Sequence, residues 1–384
     1  MTRILYLITL IFYLLEENLI ISEETETSTE SKISKFISDI TSCIVAEEIC
    51  PNEHIKFFLY NRDISENNNF YEINATNEAS IKQAPLKKNA ELIVLFHGYT
   101  GDKDYSPNME LRPAFLTKGD YNIISVDWSA LARSPCYVQA AINTDIVGHC
   151  TAKLLNSLFT MRSESVSCER THVIGFSLGA HCAGDTGKYL IEMGCKLPWI
   201  TGLDPALPLF GKIEINQKGK IERKKIEFLR IIQGKDKWKN LFSNPEMDIF
   251  NEKARPEFIL EKSDAEFVDI IHTNVGEKGQ YGAHGHVDFY INNGTEQPGC
   301  SKNSSCDHVR AVEIYAKSII GELSYKGISC DLEITGVLLG VNNEVCRPIN
   351  SVSRHVTSQV SVGINVSKEA RGTYQIITSD APDN

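Results

Sequence analysis

A mostly parallel α/β sheet with helices on both faces is the fold class this sequence predicts, on three observations. Short apolar, β-branched runs recur between turn signals, and segments of helical period separate them. A pentapeptide with a glycine at each end sits where one strand gives way to a helix.

Glu91–Phe96 and Asn122–Val126 are apolar runs ending in polar or glycine-rich turns, as buried strands do. Next, Ile142, Ile146, Cys150, Leu154 and Leu158 recur every fourth residue, so they share one face of a crossover helix. His172–Ile174 is another strand, Ala180–Met193 a helix and Trp199–Leu203 a further strand. That alternation implies a parallel sheet covered on both faces. Thr373–Thr378 reads as a last strand returning to the same sheet, and Arg310–Ile319 as a helix.

A chain of 384 residues, 42% of them hydrophobic, can bury a sizeable core as one large domain or two small ones. Arg3 precedes an apolar run, Ile4–Leu15, that is too short to span a bilayer and is closed by Glu16 and Glu17. Residues 1–22 are expected to be a secretory signal, 23–49 an acidic leader rich in Ser, Thr and Glu, and 50–384 the folded domain. No second long apolar stretch follows, so no transmembrane anchor is expected.

Eleven cysteines behind a signal segment point to disulfides and an oxidising compartment, with at least one thiol left over. Sequons at Asn74, Asn293, Asn303 and Asn365 are open to glycosylation on that route. A net charge of −11 argues against a nucleic-acid partner. Gly211–Asn240 breaks the acidic pattern with a local excess of six positive charges.

Gly175-Phe176-Ser177-Leu178-Gly179 carries the chemistry. Its glycines flank a turn too tight for Cβ atoms, and the turn holds the Ser177 hydroxyl out at the carboxyl end of the sheet. The helix starting there offers N–H groups to a developing oxyanion, with Leu178 as one donor. His97-Gly98-Tyr99-Thr100-Gly101 follows an earlier strand where the second donor belongs, and the Tyr99 N–H is that donor. An α/β-hydrolase fold runs its triad in the order Ser, acid, His. Asp204, at the end of the next strand and before Pro205, is the best acid; Asp264, Asp269 and Asp288 read as caps, turns or solvated faces. For the base, His272, His284, His286, His308 and His355 all lie downstream, and spacing does not choose among them. His308 is favoured because it sits in a loop between Cys306 and the Arg310–Ile319 helix.

These residues resemble the pancreatic-lipase superfamily, and within it the secreted phospholipase A1 branch. The likeness runs from about Cys50 to Thr378 through Val126-Asp127-Trp128, Gly202-Leu203-Asp204-Pro205-Ala206, His272-Thr273, Gly285-His286-Val287-Asp288, Pro298-Gly299-Cys300 and Cys306-Asp307-His308-Val309-Arg310, besides the two glycine motifs. The resemblance implies Ser177 as nucleophile, Asp204 as orienting acid, His308 as base, and structural roles for His181 and His272. It also implies the disulfides Cys50–Cys136, Cys300–Cys306 and Cys330–Cys346.

Only Ser301–Ser305 separate Cys300 from Cys306, where triacylglycerol lipases of the superfamily carry a lid of several helical turns. Five polar residues cannot build an amphipathic lid, and the 275–283 loop is also short and polar. The resemblance therefore implies release of the sn-1 fatty acid of a glycerophospholipid at a membrane or micelle surface. Triacylglycerol or galactolipid hydrolysis, and a non-catalytic lipid-binding protein on the same fold, are the alternatives. The chain ends too soon after His308 for the superfamily's lipid-binding β-sandwich, so no colipase-like partner is expected. The basic stretch near 211–250 departs from the resemblance and reads as an insertion. Glu261 and Asp264 lack the company for a calcium site, and no metal or cofactor is expected.

Overall fold

The computed structural model describes residues 39, 42–65, 70–207, 210, 259–322, 325–335, 343–348 and 359–378. The signal segment, most of the leader and the basic stretch near 211–250 lie outside them.

Each apolar run forms its strand because both of its faces are covered. In β3 (Glu91–Phe96), Leu92, Val94 and Phe96 enter one core while Ile93 and Leu95 enter the other. Beside it lie β4 (Tyr121–Asp127) and β5 (Thr171–Phe176), followed by β6 (Trp199–Leu203), β7 (Val268–His272), β8 (Val287–Ile291) and β12 (Gly372–Ile376). All these neighbours pair in parallel, from Leu92 opposite Thr171 to Thr373 opposite Asp288. Antiparallel strands finish both margins. β1 (Lys56–Tyr60) joins β4 and carries β2 (Tyr71–Ile73), and β9 (Lys326–Thr335) joins β12 and carries β10 (Asn343–Pro348) and β11 (Val360–Ser361). The sheet order is β10-β9-β12-β8-β7-β6-β5-β3-β4-β1-β2.

Among the described residues, two long helices cover each face. α2 (Tyr137–Met161) and α3 (Leu178–Glu192) pack together over one core, and α1 (Asn108–Lys118) with α4 (Ser304–Ile320) over the other. Of the periodic set, Ile146, Cys150, Leu154 and Leu158 are buried and Ile142, at the start of the helix, is half-buried. The terminal strand returns to the sheet as expected, between β8 and β9.

Two expectations are corrected. His308 does not occupy a loop. The Asn303 side chain caps α4 by accepting from the Ser305 and Cys306 N–H groups, so the helix starts at Ser304 and carries His308 in its second turn.

The expected Cys50–Cys136 bridge is not formed. Cys136 pairs with Cys43 and Cys50 with Cys150, at Cα separations of 5.4 and 5.1 Å. Cys136, the N-cap of α2, and Cys150 within the helix lie about 21 Å apart at 1.5 Å per residue, close to the reach of the extended chain from Cys43 to Cys50. That segment therefore lies along the helix, and Asn143 at its middle holds it by donating to the Ile44 carbonyl and accepting from the Ala46 N–H. The segment from Cys43 is thus joined to the folded body. Cys300–Cys306 and Cys330–Cys346 form as expected, Cys168 pairs with Cys195, and the odd thiol is the buried Cys182.

Candidate active site

Parallel strands present all their carboxyl ends at one edge of the sheet, where side chains from separate segments can meet. Ser177 follows β5 there, with φ at 57°, a backbone state that L-residues rarely occupy. The surrounding chain holds it, since its N–H donates to the Leu203 carbonyl and its own carbonyl accepts from the Ala206 N–H. The flanking glycines are steric requirements. A Cβ on Gly175 would fall 2.1 Å from the Gly179 carbonyl oxygen, and one on Gly179 would fall 2.5 Å from the His97 carbonyl oxygen.

The loop after β3 presses on the same point, because a Cβ on Gly98 would lie 2.8 Å from the Ser177 Cβ. His97 supports that loop from beneath. It is buried, its Nε2 accepts from the Trp128 N–H, and its ring stacks on the Trp128 indole. The Tyr99 and Leu178 backbones thus flank Ser177, Tyr99 beside Gly98 and Leu178 as the first residue of α3.

Asp204 follows β6 with φ at 42° and is fully buried. One carboxylate oxygen accepts from the Thr273 and Asn274 N–H groups, at 2.8 and 3.2 Å. The other lies 2.5 Å from His308 Nδ1. The His308 ring packs on Phe176, the residue before Ser177, at a centroid distance of 4.6 Å. Ser177, Asp204 and His308, separated by up to 131 positions in the sequence, thus converge at one edge.

The rival residues are committed elsewhere. Asp264 completes a capping box, accepting from the backbone N–H of the N-cap Glu261, and the box occupies both carboxylates weighed for calcium. Asp269 and Asp288 are buried and not solvated. Asp269 accepts from Trp199 Nε1 and Thr201 Oγ1, while Asp288 accepts from His272 and from the His284 and Gly285 N–H groups. His181 is held between the Ala206 carbonyl and the Leu260 N–H, and burial pushes its pKa down to about 3. His284 bonds the Tyr281 carbonyl, His286 accepts from Val268, and His355 lies outside the described residues.

The sequence reading missed the supports of the site. Gln297 is buried and donates to the Thr273 and Ile291 carbonyls, while its own N–H donates to Asp307, the neighbour of His308. Asn274 accepts from the Lys278 N–H and the Ser304 hydroxyl, and Lys278 Nζ donates to the Ser305 hydroxyl. The 274–280 loop and the short disulfide loop are thereby joined. Only their polarity signalled this in advance. Of the sequons, Asn74, Asn303 and Asn365 are exposed, and Asn293 is half-buried against Gln375.

Known proteins similar to this chain bear on its family. A pancreatic lipase-related protein 2 of Cavia porcellus is 32% identical over 282 residues, covering 72% of this chain and 54% of its own length. A pancreatic triacylglycerol lipase of Myocastor coypus is 29% identical over 303 residues, covering 72% and 54%. The chain therefore spans about half the length of the relatives it matches. Among solved structures, a hyperthermophilic esterase of Pyrobaculum calidifontis is 13% identical with a TM-score of 0.32, covering 82% of this chain and 97% of that one. The family model described as Lipase matches residues 19–236 and 245–334. The chain belongs to the lipase family, within the pancreatic-lipase superfamily.

Proposed function

We propose that the protein is a secreted serine hydrolase of lipid esters, and specifically a phospholipase A1 that releases the sn-1 fatty acid of glycerophospholipids. His308 takes the proton of the Ser177 hydroxyl as that oxygen attacks the ester carbonyl. Asp204, acceptor-only while ionised, fixes the Nδ1–H tautomer and leaves Nε2 for Ser177. The Tyr99 and Leu178 N–H groups receive the oxyanion. The lysolipid leaves with the proton from His308, and water attacking the acyl-enzyme releases the fatty acid and restores Ser177.

One observation carries the preference for phospholipid: the loop closed by Cys300–Cys306 holds five residues, and Ser304 and Ser305 are bonded to Asn274 and Lys278 of the 274–280 loop. A cleft with so low a wall leaves room for a polar headgroup beside the scissile ester. The second reading, a triacylglycerol lipase, is favoured by the pancreatic triacylglycerol lipases among the relatives. Five disulfides among the described residues support the secretory route.

Purified enzyme and its Ser177→Ala variant, given mixed-chain phosphatidylcholine beside triolein, separate these readings. Release of the sn-1 chain that disappears in the variant is the expected result. Turnover of triolein alone overturns the headgroup argument, and turnover of neither points to a lipid-binding protein.

A further inference from the structure

The loop from His97 to Gly101 is held by contacts that begin well outside it. His97 Nε2 accepts from the Trp128 N–H, so the ring proton is on Nδ1, which donates to the Gly98 carbonyl at 2.8 Å. The Gly101 N–H donates to the same carbonyl at 3.1 Å. That carbonyl and the Tyr99 N–H belong to one planar trans peptide unit and point in opposite directions, so the two donors on the oxygen aim the N–H.

The following residues lean on the 128–137 stretch, which leads from β4 into α2. Thr100, with φ at 62°, donates its N–H to the Ala132 carbonyl at 2.7 Å. The Tyr99 ring meets the Tyr137 ring edge to face, with centroids 5.1 Å apart. Trp128, Ala132 and Tyr137 thus carry the loop, and their position decides where the Tyr99 N–H points.

That stretch is held in place by chain that precedes Cys50. Cys136 is bonded to Cys43. The Arg133 guanidinium donates to the carbonyl and to the hydroxyl of Ser42. The buried Asn143 amide donates to the Leu131 carbonyl at 3.3 Å and to the Ile44 carbonyl at 2.8 Å. These ties meet the stretch at Leu131, Arg133 and Cys136, on both sides of the Ala132 carbonyl that Thr100 uses.

Resting on the ester-hydrolase reading of Ser177 and Tyr99, we propose that the segment Ser42–Ala46 is a positioning element of the oxyanion hole, acting on the Tyr99 N–H through the 128–137 stretch. The segment acts through other residues and not on the ester, so loosening it leaves the binding of neutral substrate intact and weakens what holds a charged oxygen. Outright loss of one oxyanion donor lowers kcat by about 10²–10³, and a donor displaced but still present accounts for a smaller factor.

Monomeric p-nitrophenyl butyrate as substrate and butylboronic acid as inhibitor, given to the full chain, test this role. The Ser177 oxygen bonds to boron as its proton passes to His308, and the anionic tetrahedral adduct needs the oxyanion hole as the transition state does. Replacing Cys43 and Cys136 together with alanine is expected to lower kcat about tenfold, leave KM within about twofold and weaken the boronate about tenfold. Arg133→Ala, at an exposed position, removes only the contacts to Ser42 and is expected to show the same pattern at about threefold. It decides the matter even where the double variant loses its fold. Folded variants that keep the wild-type kcat and boronate affinity, or whose loss lies in KM, overturn the positioning role. Wild-type protein that cleaves the ester no faster than Ser177→Ala overturns the hydrolase reading and this role together.

Discussion

His308 Nδ1 and Asp204 Oδ2 lie 2.5 Å apart in a pair from which water is largely excluded, Asp204 fully buried and His308 7% exposed. A carboxylate in that position sets the tautomer of the imidazole. Asp204→Asn keeps the shape and offers an amide to the ring. Turnover of any ester is expected to fall by about 10⁴-fold with little change in KM. A fall of less than about tenfold would assign the acid to another residue.

The 274–280 loop supports Asp204 by close backbone approach. A Cβ on Gly279 would fall 2.5 Å from Asp204 Oδ1, so Gly279→Ala must displace the carboxylate or the loop. A displacement near 1 Å lowers kcat by about 10²-fold. Circular dichroism that matches the wild type, measured alongside kcat, separates this effect from unfolding.

Peptide mapping without reduction is expected to recover Cys43 linked to Cys136 and Cys50 linked to Cys150. A Cys50–Cys136 peptide would overturn that pairing. The Cys50–Cys150 bridge closes 100 residues, and chain-entropy reasoning gives such a loop about 4–5 kcal/mol. Replacing both cysteines with alanine should therefore lower Tm by about 5–7 degrees.

Asp185 is buried on α3, with Lys188 Nζ 3.3 Å from one of its oxygens, and burial raises its pKa to about 7. The folded state then holds a proton that the unfolded chain, at about 3.8, has released. Stability from this group is complete below about pH 4 and declines until about pH 7. Asp264, raised to about 7 by burial beside the same lysine, acts in the same sense. In Asp185→Asn the decline should flatten, so Tm of the variant gains on the wild type by several degrees between those pH values. Parallel Tm curves would remove Asp185 from the account.

Asn303 is both a sequon and the cap of α4. Asn303→Asp keeps the capping oxygen and removes the sequon, while Asn303→Ala removes both. The alanine variant should lose about 1 kcal/mol by denaturant unfolding and the aspartate variant little. Intact mass of the secreted protein reads glycan loss in the two alike.

The parts of the site legible in the sequence were those set by local backbone geometry. Ser177 is marked by glycines that no side chain can replace, and Asp204 by its place between an apolar strand and a proline. His308 was not fixed by spacing, because its choice depends on how α4 crosses the sheet, and the resemblance had to supply it. Its placement in a loop failed because the capping role of Asn303 was overlooked in a segment read as a short disulfide loop and a sequon. The partner of Cys136 was misplaced for a similar reason: Asn143, which lays the Cys43–Cys50 segment along α2, carries no signature until the fold joins residues about a hundred positions apart. Gln297 and Asn274 act through backbone groups, to which sequence patterns are blind.

The bonds from Ser304 to Asn274 and from Lys278 to Ser305 tie the short disulfide loop to the 274–280 loop. Enzymes that must swing a cover aside are activated by the interface that triggers the swing, and their rate jumps when substrate begins to aggregate. Loops tied down in this way ask for no such trigger. Dissolved short-chain ester should be turned over in a smooth saturation curve that runs through the micelle threshold without a break, and progress curves on bilayers should start without a lag.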